Sequence, residues 1–254
     1  MSKKIALANQ KGGVGKTTTA INLAASLAVM EKKILLVDCD PQANATSGLG
    51  VDPQQNKKHL YSVCTGEAKI EEALVQTNLP FLYILPSHQD LVGLEIELLS
   101  QKQREYFFKN AISPIENQFE YIFFDCPPSL GLLTLNALAA SSHLIIPLQC
   151  EYFALEGIAH LLRTYELVRK GINPNLKILG VLRTMFDKRV NLSHQVSAEL
   201  EQYFKDKVFN TIIPRNVRLS EAPSHGKPAL AYDIRSVGSV AYLDLAKEIE
   251  EKFS

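Results

Sequence analysis

Short apolar runs alternate with longer helical patterns along this chain, and that alternation constrains the fold more than any other feature of the sequence. Most of the runs are continuous, as in strands that are buried on both faces of a parallel sheet. The predicted strands are Lys4–Ala8, Lys33–Val37, Leu82–Leu85, Tyr121–Phe124, Leu144–Leu148, Lys177–Leu182 and Val208–Ile213. The predicted helices are Thr17–Met30, Leu91–Leu99, Leu132–Ala140, Leu155–Lys170, Leu192–Phe204 and Ser239–Phe253. This order predicts one α/β domain over residues 1–254, with a mostly parallel, twisted sheet and helices on both of its faces.

The charge balance limits the partners that the whole chain can attract. The 254 residues include 27 Lys+Arg and 27 Asp+Glu, which gives a formal charge of zero at pH 7. A DNA- or membrane-binding protein of this composition must therefore use a local basic patch. No run of about 18 apolar residues predicts a membrane-spanning helix. The four cysteines have neither a CxxC pair nor metal-ligand spacing, so we expect reduced thiols in a cytoplasmic protein.

A glycine-rich segment follows the first predicted strand and leads directly into a helix. This strand–loop–helix context, with Gly-Lys-Thr at its end, is typical of a P-loop, in which backbone N–H groups cradle phosphate oxygens. We expect Lys16 to reach the β- and γ-phosphates and the Thr17 hydroxyl to coordinate Mg²⁺. The alternative is a glycine-rich turn with a surface lysine. The residues expected to bind ATP or ADP here are Lys11, Gly12, Gly13, Val14, Gly15, Lys16, Thr17 and Thr18.

This loop departs from the general P-loop pattern in two ways. Gln10 stands where the pattern has its first glycine, and Lys11 adds a second lysine before Gly12. A single nucleotide whose phosphates already contact Lys16 does not need this additional positive charge. Lys11 is therefore predicted to reach a phosphate across a dimer interface, and the alternative is a lysine that faces solvent.

Carboxylates follow two of the predicted buried strands. Asp38 and Asp40 are two residues apart at a strand end, so we expect both to face the γ-phosphate and Mg²⁺. Asp125 ends a buried strand, where a carboxylate is costly unless it meets a cation or hydrogen-bond donors. It is therefore predicted to lie near Mg²⁺. The alternatives are loop-capping aspartates and, for Asp125, a helix cap.

Two predicted loops are longer than a minimal connection in such a fold. They are Pro41–Lys57, which follows the second strand, and Asn210–Val237. Long ordered loops in compact domains are often functional, and ligands of parallel sheets bind at the carboxyl ends of the strands. The first loop is therefore expected at a ligand site.

The run KGGVGKTT resembles the deviant Walker A motif of the ParA/MinD family of P-loop ATPases. The resemblance covers essentially the whole chain and is closest to the small chromosomal ParA (Soj-like) subgroup. It continues, in order, through residues 37–50, 123–129, 148–157 and 213–223. No helix-turn-helix extension is expected at the N-terminus, because the first strand begins by Lys4.

The resemblance implies an ATP-driven cycle. It implies an ATP-sandwich homodimer in which Lys11 contacts the phosphates of the other subunit, and Asp40 orients or activates the attacking water. Lys11, Lys16 and Asp40 are thus the expected catalytic residues, and Thr17, Asp40 and Asp125 the expected Mg²⁺ site. Adenine is expected near Met185, Pro214 and Arg215. The implied function is DNA partitioning by a cytoplasmic, nucleoid-associated ATPase, whose hydrolysis a ParB-like partner stimulates.

The bases are concentrated in the C-terminal half of the chain. Residues 163–189 hold seven bases and two acids, a net charge of +5. The resemblance implies non-specific binding of double-stranded DNA by basic residues in this half. The residues we expect to bind DNA are Lys188, Arg189, Arg215 and Arg218. The alternative is a solvated charged surface.

Three other functions are alternatives for a chain with this nucleotide motif. A MinD-like membrane-positioning ATPase would have a basic amphipathic C-terminal helix, whereas residues 241–254 have two lysines and four acids. An iron-cluster protein would need cysteines placed across its dimer interface, and only Cys126 is a candidate. A bacterial tyrosine kinase would carry a tyrosine cluster in its tail, where only Tyr232 and Tyr242 occur. No membrane partner is therefore expected.

Overall fold

A computed structural model describes residues 2–151 and 154–254 of the chain. Within them, seven strands form one sheet: β1 (Lys3–Leu7), β2 (Ile34–Asp38), β3 (Val75–Gln76), β4 (Leu82–Leu85), β5 (Tyr121–Asp125), β6 (His143–Gln149) and β7 (Lys177–Thr184). Their order across the sheet is β3-β4-β2-β5-β1-β6-β7. Neighbouring strands are parallel except at the short antiparallel pair β3–β4. The predicted mostly parallel sheet is confirmed.

Helices cover both faces of this sheet, as predicted. The α-helices of the described residues are α1 (Lys16–Val29), α2 (Asn44–Gly48), α3 (Leu60–Cys64), α4 (Ile70–Ala73), α5 (Leu91–Glu97), α6 (Phe107–Ile112), α7 (Leu132–Ala140), α8 (Ala154–Gly171), α9 (Asn191–Phe204), α10 (Val217–Glu221), α11 (Ala229–Tyr232) and α12 (Val237–Phe253). Apolar residues of α1, α2 and α10–α12 pack in the core on one face. Those of α3–α9 pack in the core on the other face.

Strand β1 shows why the apolar runs are continuous. Ile5 and Leu7 are buried in the core that contains α1 and α12, whereas Ala6 and Ala8 are buried in the opposite core. Successive strand side chains point to opposite faces, so a strand covered on both sides needs apolar residues at every position. Complete burial of a leucine or isoleucine side chain contributes about 1.5–3 kcal/mol, and β1 thereby holds both layers together.

The register of the central strands aligns their carboxyl ends. Asp125 of β5 is opposite Leu7 of β1 on one side and Asp38 of β2 on the other. The residues after β1, β2 and β5 therefore meet at one edge of the sheet. Ligands of parallel α/β sheets bind at this edge.

The predicted strand Val208–Ile213 is wrong. This segment runs beside β7 and forms a single isolated parallel bridge with it, from Val208 to Val181, rather than a continuous ladder. The Arg183 side chain explains part of the irregularity, because its Nη2 donates to the Phe209 carbonyl at 2.7 Å. That carbonyl is then engaged by a side chain rather than by a continuous ladder.

Two further expectations about the connections need correction. The segment predicted as the loop Pro41–Lys57 contains α2, and the segment predicted as Asn210–Val237 contains α10 and α11. The two-residue edge strand β3 was not predicted. These elements are too short for hydrophobic periodicity to identify them.

Candidate nucleotide-binding site

The glycine-rich loop is held open between β1 and α1. Gly13 (φ +73°) and Gly15 (φ +85°) adopt the left-handed conformation, which residues with a Cβ rarely adopt. The Thr184 hydroxyl donates to the Val14 carbonyl at 2.8 Å and anchors the loop to β7. Gly15 begins α1 without a side chain that caps the helix. The first N–H groups of α1 thus remain available to an anion.

A cavity of about 650 Å³ lies at this edge of the sheet. Ten of the residues predicted to bind nucleotide or metal line it: Gly12, Gly13, Gly15, Lys16, Thr17, Thr18, Asp40, Met185, Pro214 and Arg215. Val14 is instead buried beneath the loop, with 1% of its surface exposed. A volume of this size is in the usual range for small-molecule sites.

Lys16 is the buried cation of the site. Its side chain is 6% exposed, and its Nζ donates to the Lys11 carbonyl at 3.1 Å. Burial lowers the pKa of Lys16, although Asp125, Cys126 and Asp40 oppose that effect. An anion in the cavity would favour the charged ammonium over this desolvated state.

Asp125 is the buried anion of the site. It is fully buried, and within the described part of the chain neither carboxylate oxygen has a hydrogen-bond partner. Burial, followed by the nearby Asp38, raises the pKa of Asp125 well above its ordinary value. The nearby Thr17 hydroxyl and Lys16 only partly oppose this rise in pKa. A buried carboxylate without a full set of donors is costly. The donor set of Asp125, the Thr17 hydroxyl and Asp40 fits Mg²⁺, which prefers oxygen ligands.

Asp38 does not face the cavity, contrary to expectation. Its carboxylate accepts hydrogen bonds from the backbone N–H of Thr46 at 2.8 Å and from the Thr46 hydroxyl at 2.7 Å. Burial raises the pKa of Asp38 to about 6, although the Thr46 donors and the Asp40 N–H oppose the rise. The loop-capping alternative therefore describes Asp38, which fixes α2. Asp40 does line the cavity, and its Oδ1 accepts from the Gln42 N–H at 3.0 Å.

Ser87 connects this capping arrangement to Asp40, and sequence reasoning missed it. The Ser87 N–H donates to the Thr46 hydroxyl at 3.0 Å, and the Ser87 hydroxyl donates to the Asp40 carbonyl at 2.6 Å. Ser87 and Thr46 are both fully buried. The segment after β4 therefore positions the backbone of Asp40, which follows β2.

Asn216 is a second polar residue that the sequence did not indicate. It lines the cavity beside Arg215, and its Oδ1 is buried without a hydrogen-bond partner in the described residues. An orphaned amide oxygen in a ligand cavity offers an acceptor for a donor on the ligand.

Lys11 is held at the rim within its own chain. Its Nζ lies 2.6 Å from Glu151 Oε2, and the two side chains are 37% and 46% exposed. Lys11 is thus an exposed lysine in an ion pair, and its contact with a phosphate across a dimer interface stays a prediction. An exposed ion pair of this kind contributes at most about 1 kcal/mol, so a stronger anion can displace Glu151.

The four predicted DNA-binding residues, Lys188, Arg189, Arg215 and Arg218, are all exposed. The Arg215 N–H donates to the Phe186 carbonyl at 3.2 Å, which joins the segments that carry these residues. Arg189 forms an ion pair with Asp187 and so lowers the pKa of that carboxyl well below its usual range. Arg218 lies 2.8 Å from Glu221 and 3.3 Å from Asp233.

Arg183 belongs to the basic run of residues 163–189 but is buried, so it contributes little to the charge of the surface. Only 5% of its surface is exposed. Its Nη1 contacts the Ser197 hydroxyl at 2.7 Å and Glu201 at 2.5 Å. The basic surface is therefore smaller than the sequence count suggests.

The C-terminal helix packs on the protein. Tyr242, Leu245, Ala246 and Ile249 of α12 are buried in the core that contains α1. Among the described residues, no helix combines the length and the apolarity needed to cross a membrane. Cys126 is likewise buried in a core, where burial raises the pKa of its thiol.

Known proteins resemble this chain over nearly its full length. A family described as an AAA domain matches residues 2–178. The chromosome partitioning protein ParA of Myxococcus xanthus is 53% identical over 248 residues, which cover 98% of this chain and 88% of that protein. The sporulation initiation inhibitor protein Soj of Bacillus subtilis is 53% identical over 249 residues, 98% of each chain.

A solved structure agrees with the fold. Cobyrinic acid a,c-diamide synthase from Mycobacterium smegmatis, with bound ADP and magnesium, superposes with a TM-score of 0.89 at 37% identity. The match covers 100% of this chain and 96% of that one. Sequence motifs, sheet order and relatives lead to the same assignment. The chain belongs to the ParA/MinD family of deviant Walker A P-loop ATPases, with its curated relatives among the ParA/Soj chromosome partitioning proteins.

Proposed function

We propose that this protein is a Mg²⁺-dependent ATPase that partitions DNA, binding DNA non-specifically as an ATP-dependent homodimer. One observation carries the proposal: the uncapped start of α1 and the buried Lys16 line one cavity, and the buried, unpartnered carboxylate of Asp125 lies close enough to Lys16 to oppose the lowering of its pKa by burial. These groups are complementary to a polyphosphate and its cation. The similarity to ParA and Soj supports the same function.

The loop and Lys16 would hold the phosphates. The N–H groups of the loop and of the start of α1 would donate hydrogen bonds to the phosphate oxygens, and their partial positive charge would stabilise the phosphates. Lys16 would exchange its bond to the Lys11 carbonyl for the β- and γ-phosphates. Thr17, Asp125 and Asp40 would hold Mg²⁺, which when bound neutralises charge on the phosphates. Asp40 would orient the attacking water.

The far side of the cavity would hold adenine. Met185, Pro214 and Arg215 form part of that wall. The unpartnered Asn216 Oδ1 is a suitable acceptor for the exocyclic amino group of adenine. Guanine carries a carbonyl oxygen at the corresponding position, so this acceptor would favour ATP over GTP.

Dimerisation would use the lysine at the rim. In the monomer, Lys11 is paired with a single carboxylate, that of Glu151. The phosphates bound by a second subunit carry more negative charge than this carboxylate. Lys11 would therefore leave Glu151 and complete the site of the partner subunit.

DNA binding would use the exposed bases beside the cavity. Lys188 and Arg189 lie on one segment, and Arg215 and Arg218 on a second segment that is hydrogen-bonded to the first. DNA phosphates would compete with neighbouring carboxylates for Arg189 and Arg218, which are paired with acidic side chains in the structure. Two copies in a dimer would multiply the affinity without a change inside either copy. Stimulation of hydrolysis by a ParB-like partner would then release the dimer, in a nucleoid-associated cytoplasmic cycle.

The decisive experiment measures DNA binding by the purified protein with ADP, ATP and a non-hydrolysable ATP analogue across a salt series. We expect binding that requires ATP or the analogue and weakens steeply with salt, because the contacts are to phosphates. Arg189→Glu with Arg218→Glu should abolish this binding and leave ATP affinity intact. Arg163→Glu with Lys170→Glu is a matched control, because it makes the same charge change at exposed positions of α8. Equal losses in both double variants, or nucleotide-independent binding, would contradict the proposal.

A further inference from the structure

A second group of potential ligands lies outside the nucleotide cavity, where His59, His88 and Asp90 meet. One ligand atom from each residue lies within 4.8 Å of the other two. His88 Nδ1 is 2.8 Å from Asp90 Oδ2, and His59 Nε2 is 4.0 Å from the same oxygen. His59 precedes α3, whereas the other two residues lie between β4 and α5. A hydrogen bond of 2.9 Å from the Leu60 N–H to the Pro86 carbonyl joins these segments.

His59 is buried without adequate partners. Only 6% of its surface is exposed, and among the described residues its Nδ1 has no hydrogen-bond partner. Its Nε2 is too far from Asp90 for a hydrogen bond. Burial, followed by the adjacent His88, lowers the pKa of His59. The ring is therefore neutral near pH 7, which is the form that binds metal ions.

We propose that His59, His88 and Asp90 form a binding site for a divalent first-row transition-metal cation such as Zn²⁺. Two imidazoles and one carboxylate are a donor set that these ions prefer. Water would complete a four-coordinate site. The all-oxygen set at the glycine-rich loop suits Mg²⁺ instead. The two sites therefore select different cations.

The imidazole rings of His59 and His88 must change their relative orientation before both can bind one metal ion. The two imidazoles are stacked, with centroids 4.6 Å apart and planes 10° apart. The lone pairs lie in the ring planes, so two parallel rings cannot both point at one ion. His88 is only partly buried and Asp90 is exposed, so the His88 ring would rotate out of the stack while His59 stays fixed.

The position of the cluster gives the cation a route to the backbone of Asp40. His88 directly follows Ser87, whose hydroxyl donates to the Asp40 carbonyl. A cation that ties His88 and Asp90 to His59 would restrain that segment. Any resulting change in ATP hydrolysis rests on the proposed function, whereas metal binding itself does not.

The test is a titration of the full-length protein with Zn²⁺ against a chromophoric chelator, with excess Mg²⁺ and ADP to block the nucleotide site. Co²⁺ absorption reports the coordination geometry. We expect stoichiometric binding that weakens at least about tenfold in His59→Gln, His88→Gln and Asp90→Asn, and is unchanged in His160→Gln, an exposed control on α8. Circular dichroism checks the fold. If the buried His59→Gln variant unfolds, the two more exposed variants decide. Absent binding by the wild type, or wild-type affinity in both His88→Gln and Asp90→Asn, would overturn the proposal.

Discussion

The hydroxyl of Thr46 supports the sharpest prediction about this site, because two buried groups depend on it. It donates to the Asp38 carboxylate at 2.7 Å and accepts from the Ser87 N–H at 3.0 Å. Thr46→Val replaces the hydroxyl with a methyl group of similar shape. The substitution therefore removes both hydrogen bonds without opening a cavity.

The cost of Thr46→Val follows from those two bonds. A hydrogen bond to a charged group contributes about 1.5–3 kcal/mol, and an unsatisfied buried N–H costs about 1–3 kcal/mol. We therefore expect the free energy of unfolding to fall by about 3–5 kcal/mol. For a chain of this size, that loss lowers the Tm by about 10 °C.

The loss of stability caused by Thr46→Val should also depend on pH. The pKa of Asp38 is raised to about 6 in the folded protein from an ordinary value of 3.8. The folded state therefore binds more protons than the unfolded state between these values, and the Asp38 contribution to stability falls as the pH rises through about 6. Loss of a donor to the charged form raises the folded pKa further. Thr46→Val should thus destabilise more at about pH 7.5 than at about pH 5.

Thermal unfolding followed by circular dichroism at both pH values, without nucleotide, measures these effects. Thr46→Ser is the matched control, because serine keeps the hydroxyl and loses only a methyl group. A valine variant that unfolds at the wild-type temperature would refute the assignment of Thr46. An equal deficit at both pH values would refute the role given to the Asp38 charge.

Three further predictions concern nucleotide chemistry. Asp40→Ala should bind ATP normally but hydrolyse it at least about a hundredfold more slowly, leaving a persistent DNA-bound dimer; a phosphate-release assay checks this, and normal turnover would remove Asp40 from its role. Lys16→Ala should weaken ATP binding at least about tenfold in a fluorescent-nucleotide titration, and unchanged affinity would contradict the phosphate site. Glu151→Gln should free Lys11 and lower the ATP concentration needed for dimerisation by up to about fivefold, because an exposed ion pair contributes little free energy. Light scattering measures the dimer, and a variant that needs more ATP to dimerise would contradict the role given to this ion pair.

The phosphate loop and the sheet could be predicted because their signals are local. Consecutive residues from Gly12 to Thr17 supply both the conformation and the ligands of the phosphate site. The continuous apolar runs reflect burial on two faces, which each strand encodes in its own sequence. Both kinds of pattern can be recognised without knowing which strands are neighbours in the sheet.

The roles of Asp38, Ser87 and Asn216 could not be predicted in this way. Asp38 and Asp40 are two residues apart, so a strand would point both side chains in the same direction. Only Asp40 lines the cavity, because the N–H and the hydroxyl of Thr46, in α2, donate to the Asp38 carboxylate. Ser87 acts on Asp40 because β4 lies beside β2 in the sheet. Such relations depend on strand order and register, which leave no pattern within a short stretch of sequence.

The two connections that the sequence singled out as long are joined in the structure, and this bears on how the proposed cycle operates. Gly50 (φ +80°) follows α2 and Gly226 (φ +62°) follows α10, and a Cβ added to Gly226 would lie 2.7 Å from Gly50 Cα. The two backbones are thus in van der Waals contact at this point. The first connection begins directly after Asp40, and the second carries Pro214 and Arg215 of the wall expected to hold adenine. If nucleotide turnover displaces the first toward the second, the second must give way, because close-packed backbone leaves no free space between them. Under the proposed function, the ATP state could therefore reach the DNA surface through this contact within each subunit, in addition to the pairing of two surfaces in the dimer.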